Sequence, residues 1–148
     1  MTNYLDDEVE HLLAAYHESA HALAILEAER IEVGLLDEIS IDDDAGETVW
    51  YTNDEIPIDP KLQTAIAVAG MAAGKVMMPS VEWWAGAEED MEKAVATSGE
   101  AGMKKTFQVV VREFKKSKQK ARLLAVTMLL LDKGKIYRED VLKVLGEA

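Results

Sequence analysis

The sequence contains no cysteine among its 148 residues. A disulfide framework and a thiolate metal site are therefore both excluded, and any zinc must be held by nitrogen and oxygen atoms. The longest apolar run, Leu123 to Leu131, is interrupted by Thr127 and is far shorter than the roughly 20 residues that span a bilayer. The first residues are acidic, where a signal peptide would be basic and then apolar. We therefore expect a cytoplasmic protein with no membrane partner.

Basic side chains are scarce in the first two thirds of the chain. Residues 1–100 hold 23 of the 28 acidic side chains but only 4 of the 16 basic ones, and the formal net charge of the chain is -12. Because this charge repels phosphate, we expect no nucleic-acid partner. The basic excess after residue 100 permits attraction between the two parts, within one chain or between copies, so a homo-oligomer is one expectation.

The composition is that of a folded protein. Apolar residues make up 49% of the chain and charged residues 30%. This length is enough to bury a core, so we expect a single domain over residues 1–148. Residues 1–100 are predicted to form the half of this domain that contains the candidate metal site described next, and residues 101–148 are predicted to form its C-terminal helices.

Histidine is rare, and two of the three histidines, His17 and His21, form the pattern H-E-x-x-H with Glu18. On a helix, positions four apart differ by roughly 40° around the axis, so both imidazoles can reach one metal ion. Neutral imidazoles hold zinc without cancelling its charge, and the ion can lower the pKa of a bound water toward about 7. The pattern predicts His17 and His21 as zinc ligands and Glu18 as the base that accepts the proton of the water.

Such a pattern also arises by chance, as a solvated pair on a helix surface. Here apolar residues recur at helical spacing from about Asn3 to Glu29, which predicts an amphipathic helix. The histidines lie beside its apolar stripe rather than opposite it. This context favours the metal site.

A zinc ion held by two histidines needs a third protein ligand and an open position for water. Ala24 and Glu27 stand where the longer zincin motif has glycine and histidine, and His11 is expected on the surface. The third ligand must therefore be a carboxylate. A helix predicted over Ala87 to Ser98 offers four of them, and spacing does not choose among Glu88, Glu89, Asp90 and Glu92.

Between these segments, alternating residues at Leu35–Ile41 and Glu47–Thr52 predict a β-hairpin. Its buried faces are expected to hold Ile39, Ile41, Val49 and Tyr51. A free edge of this hairpin would be the candidate for pairing with a substrate backbone. A helix with a middle of small residues is predicted from Pro60 to Met78, packed against the motif helix.

The last third of the chain is predicted to be helical from about Met103 to Lys133 and again from Arg138 to Leu145, with Gly134 between. Basic residues concentrate from Lys104 to Arg122, where a solvated helix face is favoured over a subunit contact, an acidic partner or RNA. Trp83 and Trp84 either line a pocket or belong to the core, and the core is favoured. The predicted fold class is α+β and mainly α-helical, with a small β-hairpin or sheet and a C-terminal helical bundle.

Three segments resemble the protease domain of the FtsH-type, ATP-dependent zinc metalloproteases. Ala15 to Ala22 matches the alanine-tyrosine-histidine-glutamate-small-small-histidine-alanine run of that family, and Ala69 to Gly74 loosely matches its small-residue helix. Its glycine-alanine-x-x-aspartate segment, with alanine four residues on, is matched by Gly86, Ala87, Asp90 and Ala94. Val109 to Leu145 also resembles the closing helices of the family. The resemblance thus spans nearly the whole chain.

This resemblance implies a zincin-like fold, Asp90 as the third zinc ligand and peptide-bond hydrolysis. The chain departs from the family where Met71 and Gly74 replace an arginine and a glutamate, and where Ala20 replaces a glycine. The likeness covers neither the ATPase module nor the membrane anchor. We therefore expect cleavage of flexible or unfolded polypeptides, or help from a separate ATPase partner.

Two functions follow as hypotheses. The first is a zinc-dependent metalloendopeptidase that uses Glu18 as its base. The second is a catalytically silent, protease-like module that binds partners or acts as an adaptor. Cleavage of an unfolded protein that requires zinc distinguishes the first from the second.

Overall fold

The computed structural model describes residues 7–29, 34–41, 46–52, 58–84 and 86–146. These residues form a mainly helical α+β fold. The helices are α1 (Asp7–Glu29), α2 (Pro60–Met77), α3 (Glu88–Phe114), α4 (Ser117–Lys133) and α5 (Arg138–Val144). The strands are β1 (Gly34–Ile41), β2 (Gly46–Thr52) and β3 (Lys135–Tyr137). Within these ranges no helix is long and apolar enough to cross a membrane.

Helix α1 carries the histidine motif and lies at the centre of the core. It buries Ala15, Ala20 and Ala22 completely, and its predicted start at Asn3 lies outside the described residues. Helix α2 begins as predicted, with the Asp59 side chain accepting a hydrogen bond of 2.8 Å from the Lys61 backbone N–H. The small side chains on α2 let α1 approach closely, which confirms the predicted packing of the two helices.

The three strands form an antiparallel sheet in the order β2-β1-β3. The predicted hairpin is confirmed, while the residues that connect its two strands, 42–45, lie outside the described residues. Strand β3 was not predicted, because three residues carry too little alternation to indicate a strand. It pairs with β1 through Ile136, which faces Ile39.

One part of the predicted hairpin face is wrong. The pairing register of β1 shifts between Leu36 and Glu38, so the strand has a bulge there. Cross-strand partners share a face, and the buried residues Ile39 and Ile41 lie opposite Thr48 and Gly46. The inward face of β2 is therefore the even-numbered one. Val49 and Tyr51 point to the other face, and Tyr51 is 59% exposed.

The C-terminal helices are divided differently from the prediction. Helix α3 has a kink directly after Ser98, where a helix was predicted to end: Gly99 is non-helical, with φ 76° and ψ 168°, and α3 continues beyond it to Phe114. The region predicted as one helix from Met103 is then broken after Phe114, where Lys116 adopts an extended conformation. Seven of the eight basic side chains from Lys104 to Arg122 are exposed, as the solvated-face interpretation predicts, whereas Arg122 is half-buried.

The end of α1 is held by an ion pair that crosses the fold. Glu29 Oε1 accepts hydrogen bonds from Arg138 Nε at 2.9 Å and Nη2 at 2.7 Å. Glu29 Oε2 accepts a bond of 3.0 Å from the Leu36 backbone N–H. The carboxylate is 12% exposed, so water competes weakly for it. One side chain thus connects α1, β1 and α5.

Replacing this carboxylate should destabilise the fold. We expect Glu29→Ala to lower the free energy of unfolding by about 1.5–3 kcal/mol, because hydrogen bonds to a shielded charge are lost. The control is Glu100→Ala, which removes an exposed pair with Lys104 at 3.2 Å and should cost less than about 0.5 kcal/mol. Urea denaturation measures both, and equal losses would contradict the role of Glu29.

Candidate metal centre

Two helices bring three potential ligand atoms together. His17 and His21 lie on α1, and Asp90 lies in the first turn of α3. Asp90 Oδ2 is 2.8 Å from His17 Nε2 and 3.2 Å from His21 Nε2, and the two Nε2 atoms are 3.0 Å apart. Among the described residues, these three make up the one cluster that could hold a metal ion.

Of the four candidate carboxylates, Asp90 is the one that lies beside the histidine pair. Asp90 is half-buried and faces the histidine pair, whereas Glu88, Glu89 and Glu92 are exposed and outside the cluster. His11 is half-buried on α1 and is also not part of it.

The separations within the cluster are compatible with one shared metal ion. Tetrahedral zinc with bonds of about 2.0–2.1 Å, for example, places its ligand atoms about 3.3 Å apart. The three separations here are shorter by only a few tenths of an ångström. Small side-chain shifts would therefore suffice to admit an ion.

The ring of His21 is oriented for coordination. Its Nδ1–H donates a hydrogen bond of 2.7 Å to the Ile66 carbonyl of α2. In the neutral ring, Nε2 then carries no proton and directs its lone pair toward the cluster. A backbone carbonyl that fixes the tautomer in this way is the usual second partner of a metal-bound histidine.

His21 and Asp90 shift each other's pKa. Burial by itself would lower the pKa of His21, but the hydrogen bond and charge of Asp90, with Glu18 and the Ile66 carbonyl, raise it above its ordinary value. Burial would likewise raise the pKa of Asp90, but hydrogen bonds from His17 and His21 and their charges hold it far below the usual carboxyl range. Contact with Asp90 thus favours the protonated form of His21, and a bound cation would compete with that proton.

The ring of His17 packs against a glycine of α2. A Cβ atom built on Gly70 would lie 2.5 Å from His17 Nδ1 and 2.6 Å from Cε1. No real side chain tolerates such contacts, so the glycine is what allows this ring position. Met71 and Gly74, which stand where the resembled proteases have an arginine and a glutamate, also lie in packed surroundings. Met71 is buried, and a Cβ on Gly74 would lie 3.0 Å from the Trp83 Cβ.

Glu18 is held beside the cluster by strand β2. Its side chain is buried, with 8% of the residue exposed. Its Oε1 accepts a hydrogen bond of 2.6 Å from Thr48 Oγ1. Thr48 was not among the predicted site residues, because simple alternation places it on the outward face. Its pairing with the buried Ile39 turns it inward, and this register has no clear signal in the sequence.

A cleft of about 790 Å³ opens over these groups. Its lining includes the three candidate ligands and Glu18, the apolar residues Ile25, Trp50 and Ile66, and the polar residues Gln63, Lys93 and Thr97. Neither Trp83 nor Trp84 lines this cleft. Trp83 stacks on Phe107 with ring centroids 5.7 Å apart, and Trp84 is 48% exposed, so Trp84 does not belong to the core.

No family model matches the chain, and no curated protein matches it. Functional interpretation therefore depends on the residues and geometry described above.

A methyl group on Gly70 should displace the His17 ring and weaken metal binding. We expect Gly70→Ala to lower the affinity for Co²⁺ or Zn²⁺ by about 10- to 100-fold, the loss typical when a supporting contact of a ligand is changed. Gly74→Ala is the control, since it adds the same methyl one turn later on α2 without touching a ligand. Titration against a chromophoric chelator measures the metal affinity of each variant. Equal affinities of the two variants would contradict the role of the contact between Gly70 and His17.

Proposed function

We propose that this protein is a zinc-dependent metalloendopeptidase that hydrolyses flexible or unfolded polypeptides. His17, His21 and Asp90 hold the ion, and Glu18 is the general base. The observation that carries the proposal is the convergence of three ligand atoms within 3.2 Å of one another beside a buried glutamate, in an open cleft. The H-E-x-x-H pattern supplies three of these four side chains.

The donor set favours zinc. Two imidazole nitrogens and one carboxylate oxygen are the ligands of many catalytic zinc sites, which keep one further position for water or substrate. When bound, the ion would lower the pKa of a water molecule and polarise the scissile carbonyl.

The protein side chains account for the proton transfers. Glu18 accepts a proton from the attacking water as the new C–O bond forms. It then donates that proton to the leaving nitrogen as the C–N bond breaks, so the base returns to its starting state. His21 keeps its orientation through the Ile66 carbonyl during both steps.

Strand β2 is the candidate for binding the substrate backbone. In the described sheet it pairs with β1 on one side only, and its residues Thr48 and Trp50 line the cleft. An extended peptide can add to such an edge through main-chain hydrogen bonds, whereas a folded chain cannot. This supports flexible or unfolded polypeptides as substrates.

We also propose that the fold is zincin-like and related to the FtsH-type protease domain. Support comes from the order of the motif helix α1, the small sheet, and the helix α3 that provides Asp90. A separate ATPase partner or a ring of identical subunits is compatible with this proposal. The exposed basic face of α3 and α4 provides a surface for such contacts.

Glu18→Gln tests the chemistry directly. This variant should bind zinc with unchanged stoichiometry and lose about 10²–10⁴-fold in turnover of fluorogenic casein, because the amide cannot accept the proton. Glu89→Gln, an exposed change on the cleft wall, should keep turnover that phenanthroline inhibits. Retained cleavage in Glu18→Gln would falsify the assignment, and a wild type that binds zinc without cleaving anything would favour the silent adaptor.

Zinc binding should strengthen as the pH rises. His21 has a raised pKa, so its protonated form stabilises the metal-free fold fully below about 6.5 and this contribution is lost at higher pH. Zinc binds only the neutral ring and therefore competes with that proton. We expect zinc to raise the melting temperature more at pH 8 than at pH 6, for wild type and for a His11→Gln control alike. A zinc shift that is constant or falls with pH would contradict this coupling.

A further inference from the structure

Glu18 is on α1, yet two of its closest contacts come from strand β2. Thr48 Oγ1 lies 2.6 Å from Glu18 Oε1. A Cβ atom built on Gly46 would lie 2.5 Å from Glu18 Cγ and 3.0 Å from Oε2. The side chain is therefore enclosed by a strand that contributes no metal ligand.

The hydrogen bond has a defined direction. A hydroxyl has one proton to donate, and Thr48 has two acceptors nearby, Glu18 Oε1 at 2.6 Å and the Glu18 backbone carbonyl at 3.3 Å. The shorter contact has the length of a charge-assisted O–H···O⁻ bond. Oε1 is thus bound, whereas no hydrogen bond from the described residues to Oε2 is found, which leaves this oxygen to accept a proton from water.

This bond restrains a side chain that is otherwise free to turn. The terminal torsion of glutamate has a broad energy profile, so packing alone does not fix its carboxylate plane. The hydroxyl fixes one oxygen, and Gly46 leaves the space that the Cγ atom occupies. Together they determine where the second oxygen lies.

The strand that provides these contacts is itself anchored. Thr48 and Gly46 pair with Ile39 and Ile41 of β1, which are 0% and 8% exposed. A site supported by such an element is held more precisely than one on a loop. The other edge of β2 is the one proposed for substrate, so one strand would set the positions of base and peptide together.

From these contacts we infer that Thr48 is a positioning residue for catalysis, which orients the Glu18 carboxylate through its hydroxyl and acts in concert with Gly46. The inference rests on the proposed peptidase function. It assigns β2 a role in proton transfer that is separate from metal binding.

Thr48→Val and Thr48→Ser test this role, because valine keeps the branched shape without the hydroxyl and serine keeps the hydroxyl. We expect Thr48→Val to lower kcat by about 10- to 100-fold, a fraction of the 10²–10⁴-fold contribution of a general base. KM, zinc affinity and melting temperature should remain close to wild type. Thr48→Ser should restore kcat to within about threefold of wild type, and Thr106→Val, a half-buried threonine of α3, should change nothing.

Gly46→Ala is a second, independent test of how strand β2 positions the Glu18 side chain. Its methyl should displace the Glu18 side chain and lower kcat with zinc still bound, in contrast to Gly70→Ala. An unchanged kcat in Thr48→Val, no rescue by serine, or a loss of kcat that follows a loss of zinc would overturn the positioning role alone. A wild type with zinc but no turnover would overturn the peptidase function, and this inference with it.

Discussion

The close contact between α1 and α2 is the constraint on which the rest of this structure depends. It lets the Ile66 carbonyl fix the tautomer of His21, and it lets the His17 ring rest against the backbone of Gly70. Only small residues on α2 permit such an approach. Once both rings are set, Asp90 at the start of α3 needs only to face them, and their hydrogen bonds and charges lower its pKa. The capacity to hold a metal ion therefore depends on helix packing more than on the motif alone.

The chemistry is divided between two sides of α1. Helices α2 and α3 orient the candidate ligands, whereas strand β2 orients Glu18 through Thr48. Because successive residues of a helix point about 100° apart, His17 and Glu18 naturally face different neighbours. Glu29 then ties the far end of the same helix to β1 and α5. Under the proposed function, changes in the sheet would alter proton transfer while leaving the candidate metal ligands in place.

Local sequence patterns predicted the main helices and strands. Features that depend on contacts between distant residues were left open or missed. The spacing of His17 and His21 is a helical property, so the candidate ligands on α1 could be identified from five consecutive positions. The third ligand is 69 residues from His21, and spacing left four carboxylates open until the fold placed Asp90 alone beside the rings. Thr48 was missed because its pairing with the buried Ile39, which sets the inward face of β2, depends on a strand register that alternation alone does not reveal. Strand β3 exists only through its pairing with β1, and the kink at Gly99 required a conformation that periodicity does not encode.

We propose that His17, His21 and Asp90 bind one zinc ion together. Anomalous diffraction from crystals grown with zinc, recorded on both sides of the zinc absorption edge, tests this. We expect one strong peak per chain, about 2.0–2.2 Å from both Nε2 atoms and from an Asp90 carboxylate oxygen, with an open position toward the cleft. Zinc bound elsewhere, or held by the two histidines while Asp90 points away, would contradict it.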